Sequence, residues 1–549
     1  MADTWIKRSV RIASPDRATP LFAPALGVVA VAMAVPMLHA LSLGDERTAR
    51  AFLYGGLFSG FSAVIMGVAL SGRRTAAATQ SELITLLASW LILPAFAAIP
   101  LVILSPQLGL AGAWTEMVAC LSTTGGTVYA EPGRQAPSIH LWRATVAWLG
   151  GLMTLTAVYV ILAPRRMGGF EVLGAGTSGA MDARGVRLAE LGAAMPPSGE
   201  RVRRALRAIV PVYVTMSFAA IMLFGLAGGV TLDNVIHALG TISTSGITSS
   251  REGLAADPSI GVELVAAFFL VLAATARPYG AASRIDAAGP WYRDPELQLM
   301  ALLVASAAGL LFLRHWTAAL TLSNPDSGAG EALRALWGTL FTAMSFITTT
   351  GYESASWRAA QAWGGLDNPS LVLLGLCAIG GGAATTAGGI KLIRAVALLR
   401  HGMDEINRLA RPETMHRARS FGGGGGRGAT GGLAEGAFLG WAFIMLYTAA
   451  IFAVTLALGL AGLNFQTALI AAIAAVSNTG PAFAAVAQGI DGFAQFDALQ
   501  RVVLGFGMVI GRMETLALIA LFNRGAWSGL LSARKRSGNT REKRPQSRR

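Results

Sequence analysis

Charged residues are scarce in this chain. Asp, Glu, Lys and Arg together make up 13% of 549 residues, where a soluble domain carries about a quarter. The mean hydropathy is +0.54. So little charge in so long a chain excludes an ordinary water-soluble globule and points to the bilayer as solvent. Cysteine is nearly missing. Cys120 and Cys377 stand far apart in apolar sequence, which leaves neither a disulfide framework nor a metal spacing and reads as two small buried hydrophobes. The six histidines, His39, His140, His237, His315, His401 and His416, form no ligand-like pair at short spacing. No nucleophile and base stand in a catalytic pattern and no phosphate loop occurs, so an enzyme is not expected. Gly174, Gly176 and Gly179 spell G-x-G-x-x-G, but the loop 167–207 is too short for a nucleotide-binding βαβ domain.

Long uncharged runs are what the chain does have. Residues 21–41, 51–71, 83–106, 144–163, 208–230 and 436–464 contain no Asp, Glu, Lys or Arg, and 298–313 is shorter but equally clean. Three interrupted runs, 260–276, 370–399 and 502–522, bring the expectation to roughly ten spans of about twenty residues. The first run is too long for a signal-peptide core and reads as a retained span. Net charge is +14. Its arginines gather at alternate span ends, at Arg73 and Arg74, Arg165 and Arg166, Arg201, Arg203, Arg204 and Arg207, Arg284 and Arg293, then Arg394 to Arg419. The positive-inside rule puts both termini in the cytoplasm. No basic stretch is interleaved with aromatics, so nucleic acid is not an expected partner. The basic tail from Arg534 to Arg549 reads as a solvated or lipid-touching segment, and the glycines of 421–432 as a connector.

One unit recurs four times: an apolar span, an apolar run too short to span, a Ser/Thr-rich loop with glycine, and a second span. The short runs are 110–121, 235–242, 333–346 and 466–476. The loops that follow read Ser122-Thr123-Thr124-Gly125-Gly126, Ser243-Thr244-Ser245-Gly246-Ile247, Thr348-Thr349-Thr350-Gly351-Tyr352 and Ser477-Asn478-Thr479-Gly480-Pro481. Non-helical backbone at membrane depth survives only where it lines water or is buried in protein. Four such loops converging would turn carbonyls toward an axis, where they can replace the hydration shell of an alkali ion. Glycine allows the positive-φ backbone such a strand needs. The short helices end at the loops, so their negative dipole ends favour a cation. Helix capping and small-residue packing explain any one such loop, but not four in matched positions.

These loops resemble those of the Trk/Ktr/HKT potassium transporters, the TrkH type in particular. Further matches are Trp148-Leu149-Gly150-Gly151, the run Gly380-Gly381-Gly382-Ala383-Ala384-Thr385-Thr386-Ala387-Gly388-Gly389, and Gly511-Arg512-Met513-Glu514. The resemblance implies an all-α membrane fold with four membrane–pore-loop–membrane repeats around a pseudo-fourfold pore, plus two extra N-terminal helices. It divides the chain into 1–80, pore repeats 81–200, 201–294, 295–420 and 421–530, and a tail 531–549. It implies channel-like potassium uptake, with or without proton coupling, at the bacterial inner membrane. Potassium is expected to bind at Thr123, Thr124, Gly125, Gly126, Thr244, Ser245, Gly246, Ile247, Thr349, Thr350, Gly351, Tyr352, Asn478, Thr479, Gly480 and Pro481. Residues 380–389 are expected to be a movable gate. The implied partners are a second copy of the chain and a TrkA-like nucleotide-binding ring on the cytoplasmic face, with no covalent cofactor. The second loop departs from the family at Ile247-Thr248, and 276–280 lacks the usual paired glycines. The alternative reading is a secondary transporter of sodium or another solute.

Arg512 lies about eleven residues into its run, near the midplane at about 1.5 Å per residue. A guanidinium there is functional by default. Two roles stand open, an electrostatic barrier in the pore or a brace for carbonyls. Lys391 and Arg394 serve either gating or simply the cytoplasmic end of a span.

Overall fold

The computed structural model describes residues 22–70, 79–163, 169–170, 198–256, 259–279, 290–319, 329–364, 370–410, 432–487 and 492–515. The G-x-G-x-x-G motif, the glycine connector up to residue 431, the basic tail, and several of the arginines that set the expected orientation (Arg73, Arg74, Arg165, Arg166, Arg284, Arg411, Arg417 and Arg419) lie outside these residues. The described chain is helical throughout, with no strand among the described residues.

Seven described helices are long and apolar enough to cross a bilayer: Phe22–Ser42, Glu46–Leu70, Glu82–Leu104, Pro137–Leu162, Gly199–Gly228, Pro295–Leu313 and Gly436–Leu460. Many of their large side chains, Val31, Phe61, Val64, Leu302 and Leu456 among them, are exposed. Apolar exposure along whole helix faces is unaffordable in water and ordinary in lipid. The chain is a multi-pass membrane protein.

Several expected boundaries shift for physical reasons. The run expected at 144–163 starts at Pro137, because Arg143 is neutralised inside the protein by Glu116 and does not interrupt the helix. The run 83–106 contains Pro94 and resolves into helices Thr79–Ala97 and Ile99–Leu104. The run 370–399 is two helices, Ser370–Ile379 and Leu392–Ala410, parted by the glycine-rich segment. The last run begins earlier, at Ala498, and its helix stops at Met513, where Glu514 takes φ 59°.

Each short apolar run forms a helix: Gly109–Leu121, Leu232–Ile242, Ala329–Ile347 and Phe465–Val476. Each packs against a long helix that precedes it, respectively Thr79–Ala97, Ser198–Gly228, Pro295–Ala319 and Gly432–Leu460. Each also packs against the second span of a neighbouring unit. The first meets Ala498–Met513, the second Pro137–Ala157, the third Ile260–Ala273 and the fourth Ser370–Ile379. The contacts therefore run round a closed circle. The hairpin of Phe22–Ser42 and Glu46–Leu70 packs outside the circle, against Thr79–Ala97 and Ile99–Leu104.

Candidate functional site

The four short helices end in the same way. In the first, the N–H of Thr123 donates to Cys120 at 2.9 Å and that of Thr124 to Ala119 at 2.8 Å. The same pair recurs as Thr244 to Thr241 and Ser245 to Gly240, as Thr349 to Phe346 and Thr350 to Ser345, and as Asn478 to Ala475 and Thr479 to Ala474. This is a Schellman ending, whose left-handed residue is usually glycine. Here it is Thr123, Thr244, Thr349 and Asn478, with φ of 54°, 54°, 60° and 55°. Asparagine tolerates that region, but β-branched threonine does not. Each threonine stores about 1 kcal/mol or more, held in place by complete burial.

Glycine follows two residues later. Gly125, Gly246 and Gly351 have φ of 74°, 64° and 83°, as the strand geometry requires. Gly480 differs from that expectation: its φ is −58°, because Pro481 opens the helix Pro481–Val486 directly after it. Glycine is needed there for close approach instead. A Cβ on Gly480 would strike the backbone of Gly126, and the Gly480 N–H donates to the Thr124 carbonyl at 2.6 Å. Likewise a Cβ on Gly125 would strike the Ser245 carbonyl, one on Gly246 the Thr350 carbonyl, and one on Gly351 the Pro481 ring at 2.9 Å. Loop one touches two, two touches three, three touches four, and four touches one. The ring is closed.

A cavity of about 530 Å³ opens on one side of the ring, lined by Gly125, Gly246, Gly351 and Gly480 together with Arg143, Glu353 and Arg358. The side chains of two of the expected ligands face the protein. The hydroxyl of Tyr352 donates to His237 on the second short helix at 3.3 Å, and its N–H to Ser345 Oγ at 2.6 Å. Ile247 is fully buried, with its backbone against Gly240.

The glycine-rich segment lies against the left-handed residues, away from that cavity. Thr244 Oγ1 donates to Thr386 Oγ1 at 3.1 Å, and the N–H of Gly388 to Thr349 Oγ1 at 2.8 Å. A Cβ on Gly388 would strike the Ser477 carbonyl. Arg512 completes the set. Its Nε donates to the Ser122 carbonyl at 2.8 Å, its Nη1 to the Thr386 carbonyl at 2.6 Å, and its Nη2 to Thr123 Oγ1. Thus 380–389 meets loops two, three and four directly, and Arg512 bonds both it and loop one. The segment is tied from other directions too. Ala383 N–H donates to Glu296 Oε1 at 2.7 Å, Tyr159 Oη to the Ala384 carbonyl at 3.2 Å, and Lys391 Nζ to Ala387.

Arg394 is buried, with a 2.8 Å ion pair to Glu514 and its guanidinium 3.6 Å from the Phe443 ring centroid. It ties the start of the helix after the glycine-rich segment to the end of the last one. The sequence reading passed over Glu116, Arg143, Glu263, Glu296 and Tyr159. Three of these carried a usable signal, since Glu116, Arg143 and Glu263 are ionisable residues inside or at the edge of apolar runs. Glu263 accepts from Ala355 N–H at 2.7 Å and from Ser354 Oγ at 2.9 Å, just after loop three.

Fold and site together define a helical membrane protein built around a closed ring of four helix-terminated loops. The sequence profile of the TrkH family, described as cation transport protein, matches residues 57–528, and the chain belongs to that family. It is 28% identical over 449 residues to the Trk system potassium uptake protein TrkI of Halomonas elongata, covering 80% of this chain and 82% of that protein. It is 25% identical to the Trk system potassium uptake protein TrkH of Salmonella typhimurium, with 80% and 84% covered. The crystal structure of the potassium transporter TrkH from Vibrio parahaemolyticus superposes with a TM-score of 0.72 at 22% identity, over 93% of this chain and 98% of that one. That likeness shows the all-helical fold.

Proposed function

We propose that this chain takes up potassium across the bacterial inner membrane through the ring of four loops. The observation that carries the reading is the closed ring itself: four loops, each at the negative end of a helix that stops in the same way, meeting with only glycine-sized gaps. Carbonyl and hydroxyl oxygens from Thr123, Thr124, Gly125, Gly126, Thr244, Ser245, Gly246, Ile247, Thr349, Thr350, Gly351, Tyr352, Asn478, Thr479, Gly480 and Pro481 would replace water around a bare alkali cation. Potassium is the transported ion and no covalent cofactor takes part. Relatives named as potassium uptake proteins support the choice of ion.

Residues 380–389 act as a movable plug under the ring, because irregular backbone at this depth must be screened from lipid and this one contacts the loops. Arg512 places a fixed positive charge beside loop one and bonds the plug. The four repeats run over 81–200, 201–294, 295–420 and 421–530, behind a two-helix segment 1–80. Both termini are cytoplasmic. The working unit is a homodimer carrying a nucleotide-binding ring on its cytoplasmic face, in keeping with relatives named as parts of a Trk system. Rubidium uptake by a potassium-transport-deficient cell, repeated in liposomes with sodium competing, tests the reading. Restored uptake that sodium does not suppress is expected. Failure of uptake with well-inserted protein, or a preference for sodium, overturns it.

A further inference from the structure

Behind the mouth of the ring lies a charged group that the transport reading does not use. Glu116, on the first short helix, and Arg143, on the span after loop one, are buried to 0% and 1% exposure. Arg143 Nε donates to Glu116 Oε1 at 2.6 Å. The other carboxylate oxygen accepts from Val128 N–H at 2.7 Å, and Thr127 Oγ1 donates to both oxygens at 3.2 Å. Val128 and Thr127 are the strand that leaves Gly125. Arg143 Nη1 then reaches into the next unit and donates to the Thr248 carbonyl at 2.9 Å. Thr248 lies two residues past Gly246. The same Nη1 stands 3.2 Å from His140 Nδ1, while His140 Nε2 stands 3.0 Å from the Pro132 carbonyl. A carbonyl only accepts, so Nε2 carries the proton and Nδ1 receives the bond from Arg143. Both carboxylate oxygens of Glu116, both ring nitrogens of His140, and Nε and Nη1 of Arg143 then have partners, and a buried network satisfied to this extent rigidifies its surroundings.

The cluster thus pins the outgoing strands of loops one and two to each other. These loops already touch at Gly125 and the Ser245 carbonyl. Loop three is held in a related way, because Glu263 of the second unit grips Ser354 and Ala355. In both cases a charged residue on a unit's second span fixes the strand of the next loop. The second loop is the one whose Ile247-Thr248 departs from the family pattern, and Arg143 is what holds it at Thr248.

We infer that Arg143, oriented by Glu116 and His140, is a positioning residue that sets the spacing between loops one and two and so the preference for potassium over sodium. This rests on the loops being the selectivity filter. A smaller ion gains from carbonyls that can close in, so a filter whose strands slip should lose discrimination before it loses conduction. Lysine cannot reproduce a bond to Glu116 and one to Thr248 together, because it lacks the guanidinium fork. Removing one partner alone leaves a buried charge, which threatens folding. The test therefore uses Arg143→Lys and the doubly neutral Glu116→Gln/Arg143→Met, which leaves no unpaired charge and still cuts the tie to Thr248. Full-length protein, monodisperse after purification, is placed in liposomes, and the potassium-to-sodium permeability ratio is read from the reversal potential beside Gly351→Ser. The expected result is a ratio lowered roughly tenfold in both variants, about 1.4 kcal/mol, with potassium flux retained. A lowered melting temperature with an unchanged ratio, in whichever of the two variants folds, overturns the inference when Gly351→Ser does lower the ratio. An unchanged ratio in Gly351→Ser as well overturns the filter reading and this inference with it.

Discussion

Replacing Arg512 by alanine removes both a charge and a clasp, and the two losses can be sized. Arg512 donates to the Ser122 carbonyl, the Thr386 carbonyl and Thr123 Oγ1, and each such bond to a charged group is worth about 1.5 to 3 kcal/mol. Only the Thr386 bond holds the glycine-rich segment, so the segment loses about that much of its hold on the ring. The charge acts on the ion. With a cation in the loops roughly 6 Å away and an effective dielectric of about 20, the repulsion is about 3 kcal/mol, which corresponds to roughly a hundredfold in rate. Both effects point the same way. Potassium flux through Arg512→Ala in liposomes, normalised to folded protein, is expected to rise between about tenfold and a hundredfold, with the potassium-to-sodium ratio kept. Arg512→Lys keeps the charge while losing reach, so it should retain most of the barrier. The brace reading expects the opposite, since loop one would sag once Ser122 and Thr123 lose their donor. Lower flux from well-folded Arg512→Ala would refute the barrier and favour the brace.

Gly125→Ser puts a side chain against the Ser245 carbonyl at a φ of 74°, and Gly351→Ser meets Pro481 at 2.9 Å. Both should admit sodium more readily, and an unchanged permeability ratio in both would sink the filter assignment. Shortening 380–389 should raise flux and weaken control by the cytoplasmic partner; a correctly folded deletion no faster than the parent protein counts against the plug. Asp45 caps the helix Glu46–Leu70, accepting from Thr48 N–H at 3.0 Å, and the Thr48 hydroxyl and N–H hold its carboxyl below the usual range. Asp45→Ala should cost about 1 kcal/mol. Because the folded carboxyl is the stronger acid, that contribution is present above the unfolded value near about 4 and fades as pH falls through the folded one. Thermal melts at pH 7 and pH 3 should differ less in the variant than in the parent.

The short helices and the loops after them were legible because two periodicities coincide: apolar runs too short for the bilayer, and Ser/Thr-Gly clusters a little over a hundred residues apart. Low charge and long apolar runs fixed the membrane class, since lipid admits little else. The cyclic order of contacts was not legible. Which glycine meets which neighbour depends on packing between segments far apart in the chain, as with Gly480 and Thr124. Nor could sequence assign the left-handed backbone to Thr123, Thr244 and Thr349, because threonine's own preference opposes it and only burial enforces it. Ionisable residues in or beside apolar runs, such as Arg143, Glu263 and Arg394, each need a partner inside the protein, whereas nothing in the sequence singles out Glu296. The partner in each case, Glu116, Ala355, Glu514 and, for Glu296, Ala383, was chosen by the tertiary structure alone, because a hydrogen bond is decided by ångströms of approach that no spacing along the chain encodes.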